Sequence, residues 1–444
     1  MLALPFLAAA AAALARDHHA CESPAYIRRR MLRALRACRL PDSVPLQRPA
    51  RELVRVPPAA LGPLPTMLLG PAGGGKSSAL DALAREATSA AVPAPTVLVR
   101  LRLPAGGGIV VSSSSSADAG LESAASAAAL MDSAASQIYD QIGYPQRSIV
   151  NDLWRAWSRH SAARKSPYFL ERELQAATAG AAERLAGALD TLFSVCEELC
   201  RERQAAGLSL RDAAPVLLFD EPQDLVKDWY LRRAGGETVL KALAALIVSH
   251  GVDQRAVRVA VAGGAAELVP AMRATRANDN CWRIVALKDP PKIVVEDALV
   301  LRGYTASEAR AMTDLCGTRL RHMLLPLEKG SADVCAPDFL EQMAVAGRSS
   351  VAACFRALDV TGAAAKLAGV LDAVAAADGA GDGAGHQRPR RPLASALPPS
   401  LGADLAAGAL YSDGAGELHF YSQLQARAWA AMRSDYVPVT EEKK

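Results

Sequence analysis

Short apolar runs alternate with stretches of helical period along the first two thirds of the chain. Thr66-Met67-Leu68-Leu69 is apolar and sits between Pro65 and Gly70, the pattern of a buried strand. Residues 78–87 place apolar side chains at 80, 83, 84 and 87, the spacing of one helix face. Residues 96–103, TVLVRLRL, alternate and begin β-branched, which predicts a second strand. Val216-Leu217-Leu218-Phe219 predicts a third strand, residues 257–262 (VRVAVA) a fourth, and residues 282–287 a last one. Helical patterns fill the gaps at 121–142, 153–163, 181–206 (closed by Gly207) and 239–249. Strands separated by helices imply an α/β fold with a parallel sheet covered by helices on both faces.

The ends of the chain read differently. Residues 2–15 are uncharged and rich in Ala and Leu, at 14 residues too short to span a bilayer, so no stable membrane span is expected. Residues 16–41 hold seven arginines (16, 28, 29, 30, 33, 36, 39) against Asp17 and Glu22. That balance matches a mitochondrial or plastid transit segment, with the cytosol or another organelle as the alternative, and a plain solvated helix over 25–40 as the structural one. Prolines at 41, 45, 49, 57, 58 and 63 predict an extended approach to the first strand. Gly106–Gly108 and Ser112–Ser116 form a low-complexity loop. From about 293 onward the pattern is helical. Residues 372–393, ending in Arg-Pro-Arg-Arg-Pro-Leu, predict a flexible and finally basic linker. The predicted domains are therefore 1–44 (N-terminal targeting or basic segment), 45–290 (sheet), 291–371 (helical lid), 372–393 (linker) and 394–444 (small closing module).

Composition narrows the function only a little. The 444 residues suffice for two or three domains, and 51% are hydrophobic, though alanine dominates and blurs period counting. A net charge of +4 on 50 basic and 46 acidic side chains is too balanced to argue for nucleic acid, and 5% aromatics is thin for base stacking. Eight cysteines occur with no C-x-x-C pair, which points to reduced, buried thiols and away from a zinc site.

The chemistry lies at the two strand ends. Gly70-Pro71-Ala72-Gly73-Gly74-Gly75-Lys76-Ser77-Ser78 fits G-x-x-x-x-G-K-[ST], preceded by a strand pattern and followed by a helix pattern. Glycines let the backbone curl so that several N–H groups face one anion, and the helix N-terminus adds partial positive charge. Lys76 is placed to reach the β- and γ-phosphates of ATP, and the Ser77 hydroxyl to hold Mg²⁺. About 140 residues later the strand 216–219 ends in Asp220-Glu221. A carboxylate there, Asp220, suits Mg²⁺ held through water, and Glu221 suits the polarisation of a water for in-line attack.

GPAGGGKSS with LLFDE resembles the Walker A and Walker B pair of P-loop ATPases. The wider chain, over roughly 45–345, resembles the AAA+, archaeal-ATPase and STAND group. The resemblance implies that strand 257–262 is the sensor-1 strand, whose relatives often end in a polar residue. Here the end is Gly263-Gly264, so a side-chain sensor is absent or displaced. It implies a sensor-2 arginine in the lid, a role for Arg319 or Arg321 after Gly317-Thr318, and candidate fingers to a neighbouring subunit at Arg273 and Arg276. The alternative for all four arginines is a solvated surface. Residues 394–436 resemble a winged-helix ending, with a hairpin turning at Asp413-Gly414. Arg427 and Arg433 with the linker make only a thin basic surface for DNA.

These features predict a P-loop parallel-sheet ATPase with a helical lid and a winged-helix-like module, binding ATP and Mg²⁺. A homo-oligomer or a protein partner is compatible with it. Three alternatives remain: an ATP-gated switch or adaptor with little hydrolysis, a DNA-associated ATPase, and an ABC-type ATPase. The last has a matching LLFDEP and a His250 placed 29 residues after Glu221, but no LSGGQ-like signature.

Overall fold

The computed structural model describes residues 24–41, 44, 53–54, 61–70, 73–101, 130–139, 167–226, 232–264, 268–269, 272, 281–356, 361–379, 391–397, 410–412, 417–420 and 422–436. Pro71, Ala72, Arg273, Arg276, the predicted helix 153–163, the Gly/Ser loop 106–116 and the turn 413–416 lie outside them.

Five parallel strands form the sheet: β1 (Thr66–Leu69), β2 (Thr96–Arg100), β3 (Val216–Asp220), β4 (Arg258–Gly263) and β5 (Arg283–Ala286). Their spatial order is β2-β3-β4-β1-β5. Parallel strands need crossover connections, and those helices cover both faces, which is why the strands read as unbroken apolar runs. The alternation is still there once the faces are separated. Met67, Leu69, Val97, Val99, Leu217, Phe219, Val259 and Val261 belong to one core cluster, while Leu68, Leu98, Leu218, Ala260 and Ala262 belong to the other. The second face is covered by α2 (Lys76–Ser89) through Ala79, Leu80, Leu83 and Ala84. The first is covered by α3 (Pro167–Ala205) and α4 (Glu237–Leu246), through Leu189, Leu192, Phe193, Leu240 and Leu243 among others.

Helix α1 (Pro24–Arg36) belongs to that same core. Ile27, Met31, Leu32 and Leu35 share one helix face, and Met31 and Leu35 are buried in the first cluster. The arginines occupy the other face, where Arg28 pairs with Glu198 and Arg36 with Glu202 on α3. A domain boundary at residue 44 therefore separates a helix from the core it helps to build. The run of arginines marks the outer face of a docked helix.

Past the sheet, α5 (Lys292–Val300), α6 (Ala306–Cys316), α7 (Leu320–Lys329) and α8 (Ala336–Arg356) follow. Val295, Leu299, Met312, Leu320, Met323 and Phe339 form their shared core. Thr305 opens α6 with a full capping box: its side chain accepts from the Glu308 backbone, and the Glu308 carboxylate accepts from the Thr305 N–H. The final core joins α8, α9 (Thr361–Gly379), β6 (Leu410–Ser412), β7 (Leu418–Phe420) and α10 (Gln423–Tyr436), with Trp429 at its centre. β6 and β7 pair antiparallel, as the hairpin pattern predicts. Helix α9 continues to Gly379, past the predicted start of the linker at 372, because Leu367, Leu371 and Val374 bury against that hairpin and α10. Among the described residues no helix is long and apolar enough to cross a membrane.

Candidate functional site

In open parallel sheets, ligands bind beyond the carboxyl ends of the strands. Those ends hold the two predicted motifs. β1 delivers Gly70 into the glycine loop, and α2 begins at Lys76 immediately behind it. Gly75 caps the helix with φ 88°, and Gly73 has φ 76°, a left-handed backbone that glycine adopts without Cβ strain.

Both glycines are also needed for space. A Cβ on Gly75 would lie 2.9 Å from Val54 Cγ2 and 3.0 Å from Leu320 Cδ1. A Cβ on Gly73 would lie 2.5 Å from Arg321 Cβ and 2.7 Å from Arg321 Cδ. The start of α7 therefore sits directly on the loop, and the Arg321 backbone N–H donates to the Gly73 carbonyl at 3.2 Å.

On the other side of the crevice β3 ends at Asp220, and Glu221 follows with φ 56°, an uncommon conformation for a non-glycine residue. Its N–H still continues the ladder to the Ala262 carbonyl at 2.8 Å. The left-handed turn re-aims the side chain, and Glu221 Oε1 lies 3.0 Å from Lys76 Nζ with both side chains buried. Two positions 145 residues apart in the chain thus meet as a buried ion pair. The second Glu221 oxygen, Oε2, accepts a short hydrogen bond from Gln223 Nε2.

Asp220 points to the α2 face. Strand register pairs it with Arg100 at the end of β2. The Arg100 guanidinium bridges two buried carboxylates, Asp220 Oδ2 at 3.2 Å and, on α2, Asp81 Oδ1 at 2.5 Å. Gln137, on the helical segment 130–139, grips the Arg100 backbone from both sides: its Oε1 accepts from the N–H at 2.8 Å and its Nε2 donates to the carbonyl at 3.0 Å.

Of the predicted site residues, the fold brings together Gly70, Gly73, Gly74, Gly75, Lys76, Ser77, Ser78, Asp220 and Glu221. Ser77 and Ser78 lie half-buried in the first turn of α2. Of the two arginines expected in a lid, Arg321 lies on the loop while the buried Arg319 turns to Asp289, Nη2 to Oδ2 at 3.3 Å. The neighbouring His322 imidazole is pushed below its ordinary pKa, first by burial and against a contact from Nδ1 to the Cys316 carbonyl at 3.3 Å.

Three side chains of this site carry no motif signal: Asp81, Arg100 and Gln223. Arg100 ends an apolar strand run as an ordinary polar terminus would. Only the parallel register reveals its partner. His250 is remote from the site. Its carbonyl accepts from the Ala256 N–H at 2.7 Å just before β4 begins, at the amino end of the sheet, and its Nδ1 faces Glu197 at 3.3 Å.

The residues present fit a nucleotide triphosphate and its metal. The glycine cradle admits no side chain, the helix N-terminus and Lys76 supply positive charge, and the Ser77 hydroxyl with the Asp220 carboxylate is a hard oxygen donor set. No cluster of three or more His, Cys, Asp or Glu with metal-holding geometry occurs among the described residues. Mg²⁺ keeps several waters and takes substrate phosphates as ligands, so one hydroxyl and one carboxylate are donors of the kind it uses.

The class defined by fold and site is a five-stranded parallel α/β domain with a glycine-rich loop of the G-x-x-x-x-G-K-[ST] pattern at the carboxyl edge. The sequence matches no protein-family model and no curated protein. The structure is similar to that of a Walker-type ATPase of Pyrococcus abyssi, with 15% identity, 82% of this chain and 91% of that one covered, and a TM-score of 0.42. A likeness at that level adds nothing to the reading of the site, which rests on the chain's own loop and carboxylates.

Proposed function

We propose that the chain is an ATP-binding P-loop ATPase of the AAA+/archaeal-ATPase type that couples hydrolysis to a change of conformation. The observation that carries the reading is the Lys76–Glu221 pair at 3.0 Å, which places the loop's lysine and a carboxylate at the next strand end but one around one crevice. The loop from Gly70 to Ser78 would hold the phosphates, and Ser77 with Asp220 the metal. When bound, Mg²⁺ neutralises charge on the β- and γ-phosphates. Lys76 then gains a triphosphate as its anionic partner, which releases Glu221 to accept a proton from water. The water oxygen bonds to the γ-phosphorus, the bond to the β,γ-bridging oxygen breaks, and ADP leaves with that electron pair. The water proton passes to a Glu221 oxygen.

Conformational coupling is supported by the seating of α7 on the loop. Any movement of the loop is felt by Arg321 at Gly73 and by Leu320 at Gly75, and through Leu320 by the core of the helices that follow the sheet. Arg321 is the better placed of the two lid arginines to sense the phosphates. A DNA role draws little support: of the two exposed cations on α10 that the sequence singled out, Arg427 and Arg433, the second is paired with Asp372, Nε to Oδ1 at 2.8 Å.

Steady-state hydrolysis with Glu221→Gln tests the reading. The variant keeps ATP affinity while turnover falls about a hundredfold or more. Equal turnover in the two proteins sinks it, and ATP binding without wild-type turnover favours the switch reading.

A further inference from the structure

At the end of β4 the chain has no side chain to offer: Gly263 and Gly264 close the strand. That strand end lies between the two halves of the site. Gly263 contributes its carbonyl to the Gly70 N–H at 3.4 Å on one side, and the preceding Ala262 carbonyl takes the Glu221 N–H at 2.8 Å on the other. The space is not empty. Gln223, in the 3-10 turn Pro222–Val226, lays its carboxamide over Gly263. A Cβ there would collide with the Gln223 Oε1 and lie 3.0 Å from its Cδ and 2.9 Å from Leu268 Cδ2.

The orientation of that amide follows from its neighbours. Its NH₂ faces the Glu221 carboxylate, which can only accept, so the carbonyl faces the strand end. Gln223 is 2% exposed, and its Oε1 has no hydrogen-bond partner among the described residues. Buried acceptors are almost always satisfied, and an exception calls for a water or a ligand atom. This one lies beside the carboxylate that would take a proton, at the strand end flanking the loop.

We propose that Gln223 is the positioning residue for the attacking water. Its amide N–H orients Glu221, its Oε1 accepts from the same water, and Gly263 is glycine because the carboxamide occupies the place of its side chain. The inference rests on the hydrolytic reading of the site. Gln223 and Gly263 then act as one unit, and the unit affects turnover through water and base geometry more than through nucleotide affinity.

Four proteins decide it alongside wild type: Gln223→Met, which keeps length and volume, Gly263→Ala, the double variant, and Glu221→Gln. Each is measured for kcat and KM with Mg-ATP, for the Kd of a fluorescent ATP analogue, and for melting temperature. The expected result is a kcat loss of about a hundredfold in Gln223→Met, a similar loss in Gly263→Ala, and Kd within threefold of wild type in both. The double variant should be no slower than the slower single, since either change removes the same amide from the same place. A Gln223→Met kcat within twofold of wild type overturns the inference while the Glu221→Gln result leaves the hydrolytic reading standing. Losses of Kd that match the losses of kcat overturn it in favour of a structural role, and additive losses overturn the link to Gly263. If Gln223→Met does not fold, Gly263→Ala carries the same kcat and Kd criteria alone. Wild-type protein that binds ATP without turnover removes both readings together.

Discussion

Replacing Arg100 by methionine removes one guanidinium that compensates two carboxylates. The Asp81 side chain is 0% and the Asp220 side chain 1% exposed, and Arg100 reaches them at 2.5 and 3.2 Å while itself 26% exposed. Methionine keeps the apolar stem, so packing is largely conserved and the loss is electrostatic. Removing one partner of a buried pair costs about 3–5 kcal/mol because the remaining charge is stranded. The partial exposure of Arg100 admits some screening, which sets the expectation at the low end, about 3 kcal/mol. At about 2–4 °C per kcal/mol for a domain of this size, thermal unfolding followed by circular dichroism should show a melting temperature lower by about 6–12 °C. The companion Asp81→Asn change in the Arg100→Met background removes one of the two buried charges that Arg100 compensates, so the double variant should melt above the single. A shift under 2 °C, or strictly additive effects of the two changes, would refute the account of Arg100 as the shared counter-charge of α2 and β3.

Gly73→Ala adds a Cβ at φ 76° that lies 2.5 Å from Arg321 Cβ. It should weaken ATP-analogue binding at least tenfold, measured by fluorescence titration, and unchanged affinity would show that the loop and α7 separate freely. His322 tests pH dependence. Its folded pKa lies below the unfolded value of about 6.5, so the folded state binds fewer protons in the window beneath that value. The stability contribution is fully present above about pH 6.5 and is lost as pH falls towards the folded pKa. His322→Gln should flatten the fall in melting temperature between about pH 7 and pH 5, and an unaltered slope would exclude burial of His322 as its cause.

The strands and the glycine loop were legible because both depend on local pattern. A fully buried parallel strand is a short apolar run, and the loop needs glycines and a lysine at fixed spacing, so 66–69, 216–219 and Gly70–Ser77 could be read without a partner in view. The acid pair was legible for the same reason, since Asp220-Glu221 ends a run of four apolar residues. Element ends were less so. β2 is described as Thr96–Arg100, and residues 102–103 of the predicted 96–103 lie outside the described residues. α9 runs past 372 because its alanine-rich surface is covered by β7 and α10, a partner that no local composition can announce. The burial of Met31 and Leu35 in the core beside α3 could not be read from the arginine-rich pattern, which describes only the outer face of α1.

The sequence by itself determined that a glycine loop with its lysine and a strand-end acid pair exist, since each is encoded within ten consecutive residues. Only the tertiary structure decided what they do to each other. The order β2-β3-β4-β1-β5 sets β4 between the strands that carry the two motifs, and a left-handed turn at Glu221 brings its carboxylate to Lys76. The same order pairs Arg100 with Asp220 and lets Gln223 lie in the space left by Gly263. Those are contacts between residues 40 to 145 positions apart. Their energies depend on register, burial and backbone handedness, which short-range pattern does not contain.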